Sequence, residues 1–155
     1  MMSEPIGRDA PPSAREGTAP TLHLLPAAAR TLGAAVLGAG IWIGFAGPLQ
    51  LTWGLVAVAV FVGWLVGSAA RSGAKRPDGR VRAVAVGGAL LAWPLSLVGV
   101  YLYSLAALPG LGPAGSSLTE RIAATPIVAF YAPQVGPIDV IEVLALLAAA
   151  WWSAR

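Results

Sequence analysis

Cysteine is absent from the 155-residue sequence. This absence excludes disulfide bonds, thiolate metal ligands and thiol catalysis. Histidine occurs once, as His23, and no serine lies in a Gly-x-Ser-x-Gly pattern or beside a recognisable base. A glycine-rich loop that could cradle phosphate is missing as well. We therefore find no catalytic motif and do not expect an enzyme.

Charge is also scarce, since charged residues make up 11% of the chain against about 25% in ordinary soluble domains. Most charges lie in the first 30 residues and in a basic run over residues 71–82, so long uncharged stretches remain. Hydrophobic residues make up 57% of the chain, and the mean hydropathy is +0.74. This distribution is typical of a membrane protein, and the length suits one small helical bundle.

The apolar stretches predict four membrane-spanning helices, over residues 31–47, 49–70, 83–104 and 138–152. We expect an all-α transmembrane domain over residues 27–155. A flexible cytoplasmic tail over residues 1–26 is expected before it, because this segment is rich in proline and poor in large apolar groups. Its last part is an interfacial lead-in that we expect to be broken at Pro26. Gly47 and Pro48 predict a tight hairpin between the first two spans, and Pro94 predicts a kink in the third.

Residues 105–137 form the least membrane-like part of the chain after the tail, and residues 118–132 within them carry helix signals. Ser117 and Glu120 fit a capping box, which predicts a short helix interrupted by Pro126 and ended by Pro133. The apolar residues of this stretch predict an extracytoplasmic amphipathic segment that lies on the membrane surface or dips into it.

The distribution of basic residues predicts the orientation. Nine of the ten Lys and Arg residues fall on one side of the four-span topology, and only Arg121 falls on the other. The positive-inside rule then places both termini in the cytoplasm. The basic run is interpreted as a topology determinant that contacts lipid headgroups. The alternative is that it binds a soluble cytoplasmic partner. Its basic residues are Arg71, Lys75, Arg76, Arg80 and Arg82. Nucleic-acid binding is not expected, because these charges lie beside apolar helices rather than across a polar face.

Three side chains are candidates for site chemistry. Asp139 and Glu142 lie one turn apart near the outer end of the last span, a spacing that could hold a cation or relay a proton; we interpret them first as a polar cap that complements the helix dipole. His23 could ligate a haem or pigment axially, although a solvated interfacial histidine is the simpler interpretation. No other cofactor or metal site is predicted. The first three spans hold no Asp, Glu, Lys, Arg or His, which counts against ion or proton transport.

Small residues provide a further pattern. Gly40 and Gly44, like Gly63 and Gly67, each place two glycines on one helix face, which allows a second helix to approach closely. The second helix belongs either to this chain or to a partner protein.

The end of the second span resembles a group of small, functionally uncharacterised bacterial membrane proteins. The resemblance rests on the stretch from Val62 to Arg71, which follows a VG-x-x-VG-x-A-x-R pattern, and on the alanine-rich run from Leu146 into Trp152. It covers roughly a third of the chain. It implies bacterial origin and topology but no activity.

These features lead to two expected roles. The first is a non-enzymatic accessory or structural subunit of a larger membrane complex, for example a respiratory or photosynthetic one, in contact with the bilayer and with other integral membrane subunits. The alternative is a small transporter or channel component that acts as an oligomer.

Overall fold

The chain folds entirely into α-helices over the part that the structure describes. The computed structural model describes residues 24–47, 49, 54–74, 78–108, 111 and 115–155, and these contain no strand. The helices are α1 (Leu25–Ala46), α2 (Gly54–Gly73), α3 (Gly79–Ala107), α4 (Leu118–Ala124), α5 (Ile127–Tyr131) and α6 (Pro137–Ser153). The all-α class predicted from the sequence is confirmed.

Three of these helices are long and apolar enough to cross a membrane. They are α1 with 22 residues, α2 with 20 and α3 with 29. The prediction of a membrane protein is thereby supported. The fourth predicted span corresponds to α6, whose 17 residues reach about 25 Å at a rise of 1.5 Å per residue. Helix α6 is not among the three helices that are long and apolar enough to cross, so the fourth crossing stays a prediction.

The helix starts differ from those predicted in two places. Pro26 does not break a lead-in; it lies in the first turn of α1, where a missing N–H leaves no helix hydrogen bond unmade. The basic run is not one loop either. Asp78 caps α3 by accepting hydrogen bonds from the backbone N–H groups of Arg80 and Val81, at 2.9 and 3.0 Å. Arg80 therefore lies on α3, and Arg71 lies on the last turns of α2.

Contacts between the long helices fix their relative directions. Helix α1 runs antiparallel to α2, because Gly38 faces Val62 while Gly73 faces Ala27. The remaining contacts show that α3 runs parallel to α1 and that α6 runs parallel to α2; the pairs are Thr31 with Gly88, Ile43 with Gly99, Leu146 with Gly63 and Ala150 with Gly67. One end of the bundle thus holds the starts of α1 and α3 and the last residues of α2 and α6.

The interior of the bundle is built from small side chains. The main core cluster joins alanines and valines of α1, α2 and α3 to Leu146 and Ala150 of α6, and Trp42 lies at its edge. Small residues let helix backbones approach closely, which increases dispersion contacts where no hydrophobic effect drives helices together.

Residues 118–132 contain the short helices α4 and α5, which are separated at Pro126 as the sequence predicts. The amphipathic, extracytoplasmic character of the segment stays a prediction. Its capping box is confirmed, since Ser117 and Glu120 bond each other's backbone N–H groups. Tyrosine hydroxyls tie the segment to α3: Tyr101 donates to the carbonyl of Thr125, and Tyr131 donates to the carbonyl of Leu97, both at 2.6 Å.

Candidate functional site

A large apolar cavity opens at the bundle end opposite the arginines. Its volume is about 1460 Å³, and it lies between the second half of α3, helix α5, the first turns of α6 and the last residues of α1. Aromatic rings form much of its wall, from Trp42, Trp93, Phe130 and Tyr131. Concave sites with apolar walls and a few polar groups are typical of ligand-binding sites.

Glu142 is the unusual residue of this cavity. Its side chain lines the cavity and is only 4% exposed, yet it has no hydrogen bond or ion pair within the described part of the chain. No described side-chain oxygen is both fully buried and without a hydrogen-bond partner, so the Glu142 carboxyl keeps access to the cavity space. A nearly buried carboxyl that bonds no protein group still loses part of its hydration, which costs free energy. A titratable side chain of this kind in a cleft is a candidate functional residue.

Asp139 differs from Glu142 although both line the cavity. Its carboxylate accepts a hydrogen bond from the backbone N–H of Gly136 at 2.6 Å, which caps the start of α6. The polar cap predicted for the two residues is seen as a hydrogen bond for Asp139 alone, because the Glu142 side chain is buried on the face of α6 that packs on the bundle. The complement that both carboxyls would give to the helix dipole stays a prediction.

Helix packing explains why Glu142 faces inward. The buried residues of α6 are Glu142, Leu146 and Ala150, which recur every fourth position on one face. This face contacts α2 through Gly63 and Gly67, where a methyl group would meet the backbone carbonyls of α6. The spacing of Glu142 from Leu146 was the signal in the sequence that could have identified its burial.

Tyr131 attaches α5, which forms part of the cavity wall, to α3. Its hydroxyl donates to the Leu97 carbonyl at 2.6 Å, and its ring packs edge-on against Phe130 with centroids 4.9 Å apart. Burial raises the pKa of Tyr131 to about 12. The phenol therefore stays protonated and keeps donating, so α5 remains attached to α3 under ordinary conditions.

The arginines gather at the other end of the bundle. Arg30, Arg71, Arg80, Arg82 and Arg155 lie there, whereas Arg121 lies at the cavity end. The guanidinium of Arg82 lies 5.2 Å from the ring centre of Trp151, and that of Arg155 lies 4.0 Å from Trp152. Tryptophan and arginine together are typical of the membrane–water boundary. Lys75 and Arg76 lie outside the described residues.

The two predicted glycine pairs have different surroundings. Gly63 and Gly67 contact α6, whereas a methyl group at Gly40 or Gly44 would meet nothing within 4 Å. Five further glycines also contact neighbouring elements closely: Gly38, Gly47, Gly73, Gly88 and Gly99. No spacing pattern in the sequence pointed to the contacts of Gly38 and Gly73.

His23, the candidate haem or pigment ligand, lies outside the described residues. Among the described residues, no group of three His, Cys, Asp or Glu side chains could hold a metal ion.

The helices and their apolar surfaces define the chain as a helical membrane protein. Its particular family is not identified, since no family model, curated protein or solved structure matches it. The resemblance to small bacterial membrane proteins therefore stays a prediction.

Proposed function

We propose that the chain crosses a bacterial inner membrane four times, with both termini in the cytoplasm. The parallel packing of α6 on α2 supports this topology, because the second and fourth spans of such a protein must run in the same direction. The arginine distribution supports it too: five described arginines lie at the proposed cytoplasmic end and one at the other. Surrounding lipid covers the exposed leucines and valines of α1 and α3.

Within that topology we propose a non-enzymatic role as an accessory or structural subunit of a larger membrane complex. The observation that supports this role is the outer face of α1, where Gly33, Gly40 and Gly44 are exposed. A methyl group added at any of the three would meet no neighbouring atom within 4 Å. Glycine is a poor choice for a face that meets only lipid, whereas it lets a helix of another subunit approach closely.

Leucine substitution of this face tests the role. Mild-detergent purification from native membranes should yield a large complex with the wild-type chain, and Gly40→Leu or Gly44→Leu should release the chain from it. Gly87→Leu is the matched control, because Gly87 of α3 also has nothing within 4 Å. A wild-type chain that migrates alone, or complexes that survive all three substitutions, would contradict the accessory role.

A second candidate is a small transporter or channel component, and Glu142 favours it. A buried carboxyl beside a cavity is the kind of group that a solute pathway needs. Flux through liposomes containing only this chain, abolished by Glu142→Gln, would support transport over the accessory role. Absence of flux from wild-type liposomes would count against it.

A further inference from the structure

We infer that the cavity around Glu142 binds a bulky, apolar organic cation, with the Glu142 carboxylate as its counter-ion. Three observations converge on this ligand: the volume of about 1460 Å³, the largely apolar and aromatic wall, and a carboxyl that is buried without a partner among the described residues. A ligand that brings positive charge to the cavity would give the Glu142 carboxylate the partner that the described residues do not provide.

The charges around the cavity select a cation over an anion. Glu142 and Asp139 contribute two carboxyl groups, while no Lys or Arg is among the described residues that line the wall. The one described arginine at this end, Arg121, donates instead to the Leu105 carbonyl at 2.8 Å and to Ser116 Oγ at 3.3 Å. The rings of Trp42 and Trp93 add faces that attract cations further.

The size and polarity of the wall select a bulky organic ion over a metal ion. Drug-sized ligands occupy pockets of about 300–1,000 Å³, so this cavity has room for several rings. A metal ion would need several oxygen ligands, and Asp139 already uses a carboxylate oxygen to cap α6.

The surroundings also argue against a lipid tail as the cognate ligand. An acyl chain would fill the apolar part of the cavity and leave Glu142 without a partner. Side chains at the rim, including Val128, Val140 and Leu144, are more than half exposed, so an apolar cation can enter from the surrounding lipid. Ligand binding at this cavity does not depend on membership of a larger complex, and it can be measured on the isolated chain.

Two ions of equal size and opposite charge provide the test. The purified full chain in phosphatidylcholine nanodiscs should bind tetraphenylphosphonium above the level of empty nanodiscs, and it should not bind tetraphenylborate above that level. Glu142→Gln should weaken cation binding about tenfold or more, because it removes a charge partner inside an apolar cavity. Glu142→Asp should retain cation binding better than Glu142→Gln does. Glu120→Gln removes a carboxylate outside the cavity lining and should leave affinity unchanged.

Equal binding of both ions, or full affinity in folded Glu142→Gln, would overturn the inference and leave an apolar crevice that any lipophilic molecule can fill. Circular dichroism establishes that the variant is folded. If Glu142→Gln fails to fold, the preference of the wild-type chain for the cation over the anion decides the question.

Discussion

At the scale of single residues, Glu142 should favour ligand binding and at the same time lower the free energy of unfolding. Its carboxyl bonds no described protein group and the residue is almost buried, which should destabilise the bundle by up to about 1–3 kcal/mol, the cost of a fully unsatisfied buried polar group. Methionine has a similar shape and no such group, so we expect Glu142→Met to raise the free energy of unfolding by about this amount and to abolish cation binding. Reversible unfolding in mixed detergent micelles measures the first effect.

Leu146 provides the comparison for that measurement, because it lies one turn further along the same buried face. Leu146→Ala should lower the free energy of unfolding by about 2–5 kcal/mol. If Glu142→Met were destabilising as well, Glu142 would have a structural role that the hydrogen bonds of the described residues do not reveal.

The two glycine pairs make a second residue-scale prediction. A methyl group at Gly63 would approach Ala149 Cβ to 2.9 Å and would also clash with the Leu146 carbonyl, so Gly63→Ala should destabilise the bundle by about 1–3 kcal/mol. The same change at Gly40 meets open space and should be neutral or stabilise by up to about 1 kcal/mol. Unfolding in detergent measures both, and equal effects would contradict the helix pairing described above.

The glycine pairs also show where residue-level prediction from the sequence stops. Both pairs have the same spacing, and the sequence predicts close packing for each. Of the two pairs, only Gly63 and Gly67 contact another helix of this chain. The reason is that the position of the neighbouring helices decides which face of a helix is covered. The positions of neighbouring helices depend on the packing of the whole bundle, so the spacing of two glycines in the sequence does not predict them.

At the scale of elements, the capping box of α4 allows a pH-dependent prediction. Glu120 accepts hydrogen bonds from Ser117, from its backbone N–H at 2.7 Å and its hydroxyl at 3.0 Å, and these lower the pKa of the Glu120 carboxyl below its ordinary value. A lowered pKa means that the carboxylate stabilises α4 above its unfolded-state pKa and that this contribution is lost as pH falls through the folded-state pKa.

We expect Ser117→Ala to raise the pKa of Glu120 back toward its ordinary value, because the hydroxyl no longer donates to the carboxylate. Nuclear magnetic resonance of the Glu120 carboxyl carbon during a pH titration measures this change. Thr119→Ala is the control, since no interaction is recorded for the exposed Thr119 side chain. A wild-type Glu120 that titrates at its ordinary value would contradict the capping geometry.

The presence of a helix could be predicted from the sequence better than the residues at which it begins and ends. The apolar stretches predict the three long helices, and the Ser117–Glu120 spacing predicts the start of α4. The start of α3 was misplaced because the basic residues around Arg80 were interpreted as a loop, although Asp78 is a good N-cap. The cavity could not be predicted, since its wall combines residues far apart in the chain, from Trp42 to Leu144.

At the scale of the whole molecule, the helix directions and the positions of the described arginines distinguish the same two ends of the bundle. Helices that start at the arginine end alternate with helices that finish there, and the cavity lies at the opposite end. The absence of cysteine makes this polarity testable, because any single cysteine introduced into the chain is the only thiol that can be labelled. Ser72, Ala123 and Arg155 are exposed and mark the ends of the bundle.

In intact bacterial cells that express these variants, a membrane-impermeant maleimide should label Ala123→Cys and leave Ser72→Cys and Arg155→Cys unlabelled. Permeabilised cells should show labelling of all three, which controls for reactivity. Labelling of Arg155→Cys in intact cells would mean that α6, with its 17 residues, fails to cross. The carboxyls of its first turns would then need another explanation, because the proposed four-span topology places Asp139 and Glu142 at the outer end of a spanning helix, where a cation arriving from outside or from the lipid can reach them.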